Sequence, residues 1–466
     1  MSERASPLIV GAGPAGIRAA QALVAAGLKP TVVDEAPRCG GQIYRQPLVD
    51  DGRDARARYG SEAMKAERLH RDFAALEGRI DYRPQALLWN LRDGIADIMH
   101  DGAHQRVAYD GLILATGATD RVLPLPGWTL PGVFTLGAAQ IALKAQACAI
   151  GTSVVFAGSG PLLYLVAWQY LKAGVQVAAV LDAAPLSAKF NLWHALPLAP
   201  AIVLRGLRMA TELRLAGTPL HFGVTDVHME GEARVERVAF GLGGRAHSIA
   251  CDGVGYGLNL RSETQLADLA GCTFRFDPRD RAHLPVREAS GRSSVRSVYL
   301  AGDGARIAGA DAAEAAGERA ALALLEDRGL PYDAARAAGL ERMLRRIDRL
   351  RDVLEAAFPY PAHWADEIAD STPLCRCEEI SAGEARQTIK DFALVELNRL
   401  KAVSRIGMGR CQGRVCGAAA AELLAGETGR DIATVGRLRA QPPIKPIPFA
   451  LAASDHTNEE QHDEAH

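Results

Sequence analysis

The stretch "PLIVGAGPAGIRAAQALVAAGLKPTVVDEAP", residues 7–37, decides how the rest of the chain is read. A short apolar run leads into a glycine turn. An alanine-rich helix follows, closed by Gly27, and a second apolar run ends at Asp34. This is a βαβ unit. Gly11, Gly13 and Gly16 fit G-x-G-x-x-G between strand and helix, with the acids Asp34 and Glu35 about twenty residues on. The order suits a dinucleotide: the first glycine makes the tight turn, the second admits a pyrophosphate to the backbone, and the third lets the helix pack closely. The helix N-terminus, opened by Pro14, then faces the phosphates. Asp34 directly follows the strand and is the first candidate for the ribose hydroxyls; Glu35 is the second.

The same layout returns in "TSVVFAGSGPLLYLVAWQYLKAGVQVAAVLDAAP", residues 152–185, as a second nucleotide-binding-like unit inserted into the first. Its region between Lys144 and Lys172 has no charged residue, but "GTS" and "GSGP" break it, so strand, turn and helix is the reading rather than a membrane span. Gly158 and Gly160 are in place, while Leu163 holds the third glycine position and opposes close helix–strand approach. Asp182 is the ribose candidate here, and no arginine cluster follows for a 2′-phosphate. A fold that no longer takes NAD(P)H and a site holding an adenine nucleotide without redox duty both stay open.

Three separated signatures resemble the FAD domain of the two-dinucleotide-domain flavoproteins. They are "GAGPAG", the strand "LILATGA" with Thr116 and Gly117, and the late strand "VYLAGDG" with Gly302 and Asp303. In that family the last Asp meets the ribityl and phosphate region. "GGQ", with Gly41 and Gln42, matches the loop beneath the flavin. The resemblance implies one bound FAD.

Four of the eight cysteines fall in two close pairs, "PLCRCEE" with Cys375 and Cys377, and "GMGRCQGRVCG" with Cys411 and Cys416. Four thiolates on two short loops suit a 2Fe-2S cluster or a tetrahedral zinc, although C-x-C is less usual for zinc. The combination resembles the domain of bacterioferritin-associated ferredoxin, which implies a 2Fe-2S cluster, with Gly, Arg and Gln residues directing N–H groups at its sulfurs. Cys39, Cys148, Cys251 and Cys272 each stand alone, so a dithiol mechanism is not expected.

The 466 residues call for two or three domains. A net charge of -2 without a basic run argues against nucleic acid as a partner. The opening "MSERASPLIVGAGPAG" has no secretory pattern, and clustered cysteines suit a reducing compartment, so a cytoplasmic location is expected. The expected fold is α/β: a Rossmann-like two-dinucleotide-domain flavoprotein with a C-terminal 2Fe-2S domain. The FAD part spans 1–125 and 286–330, the inserted NAD(P)-binding-like part 126–285, a helical linker 331–370, the 2Fe-2S module 371–430, and an extended arm with an acidic disordered tail 431–466.

Over nearly its whole length the pattern resembles the accessory subunits of bacterial amine-oxidising flavoprotein complexes: hydrogen cyanide synthase, octopine and nopaline oxidase, and D-hydroxyproline dehydrogenase. The resemblance implies an electron relay partnered with an FAD-dependent amine-oxidase-type subunit, and in some complexes with a small ferredoxin-like subunit. A stand-alone NAD(P)H-dependent reductase is the rival. Residues 190–207, "FNLWHALPLAPAIVLRGL", are read as core packing ahead of partner surface, and "PPIKPIPF" as an arm for docking on a neighbour.

Overall fold

The computed structural model describes residues 6–448. The first sheet is ordered Asp81–Arg83, Thr31–Val33, Ser6–Val10, Ala103–Leu114, and the strand Val298–Leu300 also pairs with Ala103–Leu114. These pairings are all parallel. Leu87–Arg92 and Ile95–His100 extend the sheet as an antiparallel meander. The near-continuous apolar run Leu8, Ile9, Val10 is what a strand covered on both faces requires. On one face Pro14–Ala25 packs along the long helix Ala310–Asp327, both alanine-rich, so the two backbones approach closely.

The second sheet is wholly parallel, ordered Leu220–Phe222, Gln176–Asp182, Ser153–Ser159, Gly253–Leu258, Val133–Thr135. An antiparallel sheet of three strands, Thr225–Glu230, Arg237–Leu242 and Arg245–Ala250, stands beside it. The strand Ser153–Ser159 and helix Pro161–Lys172 occupy the uncharged stretch, as its glycine breaks predict. Among the described residues no helix is long and apolar enough to cross a membrane. After this unit the chain recrosses to the first one before residue 285: Leu266, Ala267 and Cys272 share a core with Leu8, Val10 and Leu112.

The cysteine module does not hang free. Leu374, Cys375, Cys416 and Leu424 belong to the same apolar core as Trp128, Val254 and Tyr256 of the second unit. The Trp128 indole N–H donates to the Pro373 carbonyl at 2.8 Å.

Two sequence expectations are corrected. Residues 190–207 are core only in part: Ala195 and Val203 are buried, but Phe190 is 79% exposed, Trp193 76%, Leu204 62% and Leu207 57%. The helix Pro200–Leu215 buries only Val203, Met209 and Leu213, because its apolar residues exceed the width of the stripe it can turn inward. Conversely, the arm docks on its own chain. Arg437 forks onto Asp268, the Ala440 N–H donates to the same carboxylate, and Lys445 pairs with Glu35. Ile444 is buried in the first core, its N–H on the Trp89 carbonyl at 3.1 Å. The acidic tail expected to be disordered lies outside the described residues.

Candidate cofactor sites

The three flavoprotein signatures meet at the C-terminal edge of the first sheet, where neighbouring parallel strands end. Gly11 turns at φ +106° and donates its N–H to the Val33 carbonyl at 2.8 Å. The Asp34 carboxylate accepts the N–H groups of Ala12 and Ala36, tying the second strand to the glycine turn. Burial raises the Asp34 pKa against these hydrogen bonds. Glu35, exposed, pairs with Lys445 of the arm. Gly302 and Asp303 follow the strand Val298–Leu300. One Asp303 oxygen accepts the N–H groups of Ala308 and Gly309 at 2.8 and 2.9 Å. Thr116 and Gly304 are close enough that a Cβ on Gly304 would stand 2.3 Å from Thr116 Oγ1.

Gly13 and Gly16 differ in a way that separates folding from binding. A Cβ on Gly16 would fall 1.7 Å from the Gly11 carbonyl oxygen, so the fold itself excludes any larger residue. At Gly13 a Cβ would meet only Gly41 Cα at an ordinary 3.6 Å. Gly41 is held to glycine by its φ of +63° and by a Cβ that would stand 3.0 Å from Gly13 Cα, so it is Gly13 alone that packing does not demand. Gln42, beside it, is exposed. Gly13→Ala is therefore expected to fold with unchanged thermal stability and to hold FAD more weakly by roughly 5- to 150-fold, the effect of a methyl forced into a filled site. Flavin content after dialysis, read against the melting temperature, checks this; full retention of flavin would remove the turn from the site.

The second nucleotide turn is closed by its own chain. Leu163 is fully buried where a third glycine would stand. Asp182 is fully buried as well: it accepts the Tyr164 hydroxyl at 2.6 Å and the Ala184 N–H at 2.9 Å, and pairs with Lys189 at 2.8 Å. Lys189 lies over the Phe358 ring, and the Ser159 hydroxyl donates to the Pro359 carbonyl. The expectation that Asp182 could take a ribose hydroxyl is corrected: its carboxylate is already consumed inside the protein.

The two cysteine pairs come together. Cys416 contacts Cys375 and Cys411, and Cys411 contacts Cys377, so the four thiols form a chain of neighbours. They stand as a chain rather than as a closed ligand shell, and among the described residues no three His, Cys, Asp or Glu side chains form one. The donors nevertheless fit a thiolate-bound centre. Hydrogen bonding from Cys416 lowers the Cys375 thiol to about 6, helped by the backbone N–H groups of Gly407, Glu378 and Cys377. Cys411 is lowered too, by Cys416 and by the N–H groups of Val415 and Gly413, while Cys416 is raised by both of its thiol neighbours. Backbone groups thus face the sulfurs, as the glycine-rich sequence predicts. The side chains do otherwise: Gln412 braces its own loop through the Met408 and Gly409 carbonyls. Leu438 of the arm packs against Gly407, Gly413 and Gly417, a cap that only glycines would admit so closely.

Sequence reasoning missed what joins the two sites. Thr116 of the ATG signature donates to the Glu263 carbonyl at 2.6 Å, and the Glu263 N–H donates to the Gly117 carbonyl at 3.0 Å. The Glu263 carboxylate accepts Arg414 Nε at 2.9 Å, both side chains nearly buried. Arg414 lies between Cys411 and Cys416, reaching the Cys411 carbonyl at 3.3 Å and the Ile444 carbonyl at 2.7 Å. Nothing in the local sequence around Glu263 announces this; the signal was Arg414 itself, a charged residue inside a tight cysteine loop.

A doubly wound fold with these signatures defines a flavoprotein oxidoreductase, and the chain belongs to the pyridine nucleotide-disulphide oxidoreductase family, which residues 6–317 match. Residues 374–456 match the sarcosine oxidase A3 domain. Within that family its relatives include an opine oxidase subunit of Rhizobium meliloti, 39% identical over 97% of this chain and 88% of the relative. Hydrogen cyanide synthase subunit HcnB of Pseudomonas protegens is 35% identical over 98% of this chain and 99% of the relative. In fold, the chain is similar to the L-proline dehydrogenase structure from P. horikoshii, with a TM-score of 0.73 at 19% identity, covering 96% of this chain and 79% of that one.

Proposed function

We propose that this chain is an FAD- and 2Fe-2S-containing electron-transfer subunit of a heteromeric amine dehydrogenase or oxidase, of opine, D-hydroxyproline or glycine type, working in the cytoplasm. The observation that carries the reading is the bonded route Thr116–Glu263–Arg414–Cys411, which joins an FAD signature to the cysteine loop. The Glu263–Arg414 pair is nearly buried and runs from the ATG turn to the main chain of the cysteine loop. FAD would rest on Gly11, Gly13, Pro14, Gly16, Asp34, Gly41, Gln42, Thr116, Gly117, Gly302 and Asp303; the cluster would be held by Cys375, Cys377, Cys411 and Cys416. Flavin chemistry supplies conversion between two-electron and one-electron transfer, and the chain's part is to position, shield and connect the centres.

The relatives are named as subunits, which supports a heteromeric partner, and the proposal takes that partner to be of the amine-oxidase flavoprotein type. The exposed face at Phe190, Trp193, Leu204 and Leu207 is the surface offered to it, since aromatic anchors of this kind dominate stable interfaces. The closed second turn argues against direct NAD(P)H oxidation.

Anaerobically purified protein is expected to carry one FAD, with about two iron and two sulfide per chain, as a four-cysteine 2Fe-2S site requires. Metal and sulfide analysis with electron paramagnetic resonance of the dithionite-reduced protein checks it. Stoichiometric zinc without iron would overturn the cluster reading.

A further inference from the structure

A cavity of about 500 Å³ lies between the hairpin formed by Phe274–Asp277 and Ala282–Pro285 and the helices Ala310–Asp327 and Ala334–Ala357. That volume is within the range of small-molecule sites, roughly 300–1,000 Å³. Of the residues assigned to FAD, only Gly302 borders it.

Its lining is cation-rich: Arg275, Arg279, Arg287, Arg306 and Arg345 stand there, with the carboxylates Asp277, Glu288, Glu341 and Asp348. Each of these acids already has an arginine: Asp277 has Arg279, Glu288 has Arg292, Glu341 has Arg319, and Asp348 has Arg306. Arg287 has neither an ion pair nor a side-chain hydrogen bond among the described residues. Burial holds its guanidinium below the ordinary value with no charge partner to compensate. Arg306 is lowered to about 10, by burial first and then by repulsion from Arg287, Arg279 and Arg351, and its Nε is buried without a partner. Arg287 and Arg306 repel each other, and an anion seated between them relieves that repulsion. The lining also includes the apolar side chains Phe276, Leu284, Leu344 and Ile347.

We propose that this cavity binds a small molecule with a flat apolar body and one phosphate or carboxylate group, the anion seated on Arg287 and Arg306. The planar guanidinium of Arg287 presents paired donors to either oxyanion, and the apolar walls cover the remainder.

Isothermal calorimetry on the full purified protein, with phenyl phosphate in one arm and benzoate in the other, tests this and tells the two anions apart. At least one probe is expected to bind at one per chain. Arg287→Leu should weaken it about tenfold or more, the loss of a charge-assisted hydrogen bond pair. Arg287→Lys, which keeps the charge and loses the fork, should fall between, and serves if the leucine variant does not fold. Without probe, Arg287→Leu should melt no lower than the parent, because it removes one of two mutually repelling charges. Failure of both probes at millimolar concentration, or equal binding by Arg287→Leu and Arg287→Lys and the parent, would overturn the site.

Discussion

Cys416→Ser protein is expected to lose its iron–sulfur absorption entirely while keeping its flavin. Cys416 is 1% exposed and is the thiol that contacts two others, Cys375 and Cys411. It also caps the helix Gly417–Thr428, where the positive end of the peptide dipole favours a thiolate. A serine hydroxyl there stays protonated near neutrality and supplies no soft donor to a thiolate-bound centre. Among the described residues no other Cys or His stands ready to replace it, since the remaining thiols belong elsewhere: Cys39 and Cys272 to cores of the first unit, Cys251 to the second, and Cys148 to the surface. Flavin should survive because its signatures rest on cores that Cys416 does not enter. Cys148→Ser, at an exposed thiol, should change neither chromophore. A Cys416→Ser preparation that kept two iron per chain would show that the four thiols are not one centre.

Much of the fold was written locally. The βαβ unit at residues 7–37 could be read because apolar runs, glycines and the closing Gly27 fall at fixed offsets, and such offsets survive without knowledge of the rest of the chain. The pairing of Cys375 and Cys377 with Cys411 and Cys416 was legible for a related reason: thiol clusters are rare enough in sequence that two of them suggest one centre. What could not be read was long-range. Glu263 and Arg414 stand 151 positions apart and meet only because the strand Leu260–Ser262 pairs back onto Ala118–Asp120, bringing residue 263 to the ATG turn. Arg287 was invisible as well, since a lone arginine in sequence does not reveal that every nearby acid is already paired. The misread apolar segment at 190–207 has the opposite cause. Hydrophobicity predicts burial in something, and in this chain alone the segment finds too little to bury against.

That exposed segment carries the last expectation: the isolated chain oxidises no amine, and adding its amine-oxidase-type partner restores turnover. Hydride transfer from an amine needs a pocket that holds the C–H bond over the flavin, with a group to anchor the substrate. The second unit, which frames a flavin in the two-dinucleotide architecture, is sealed at its nucleotide turn by Leu163 and by the Asp182–Lys189–Phe358 contacts. Of the flavin signatures, only Gly302 borders the cavity at Arg287. On the proposed reading, substrate chemistry falls to the partner and this chain receives the electrons. Assays with D-hydroxyproline, octopine, nopaline and glycine and an artificial acceptor should show no turnover by the chain alone, and turnover once the partner is added. Phe190→Asp with Trp193→Asp should weaken that assembly by about thirtyfold or more, the loss expected for aromatic anchors at an interface centre, while leaving flavin and cluster in place. Gel filtration of the mixed subunits reads assembly separately from rate. Turnover by this chain alone, with partner shown absent by mass spectrometry, would place the amine site here and end the relay assignment.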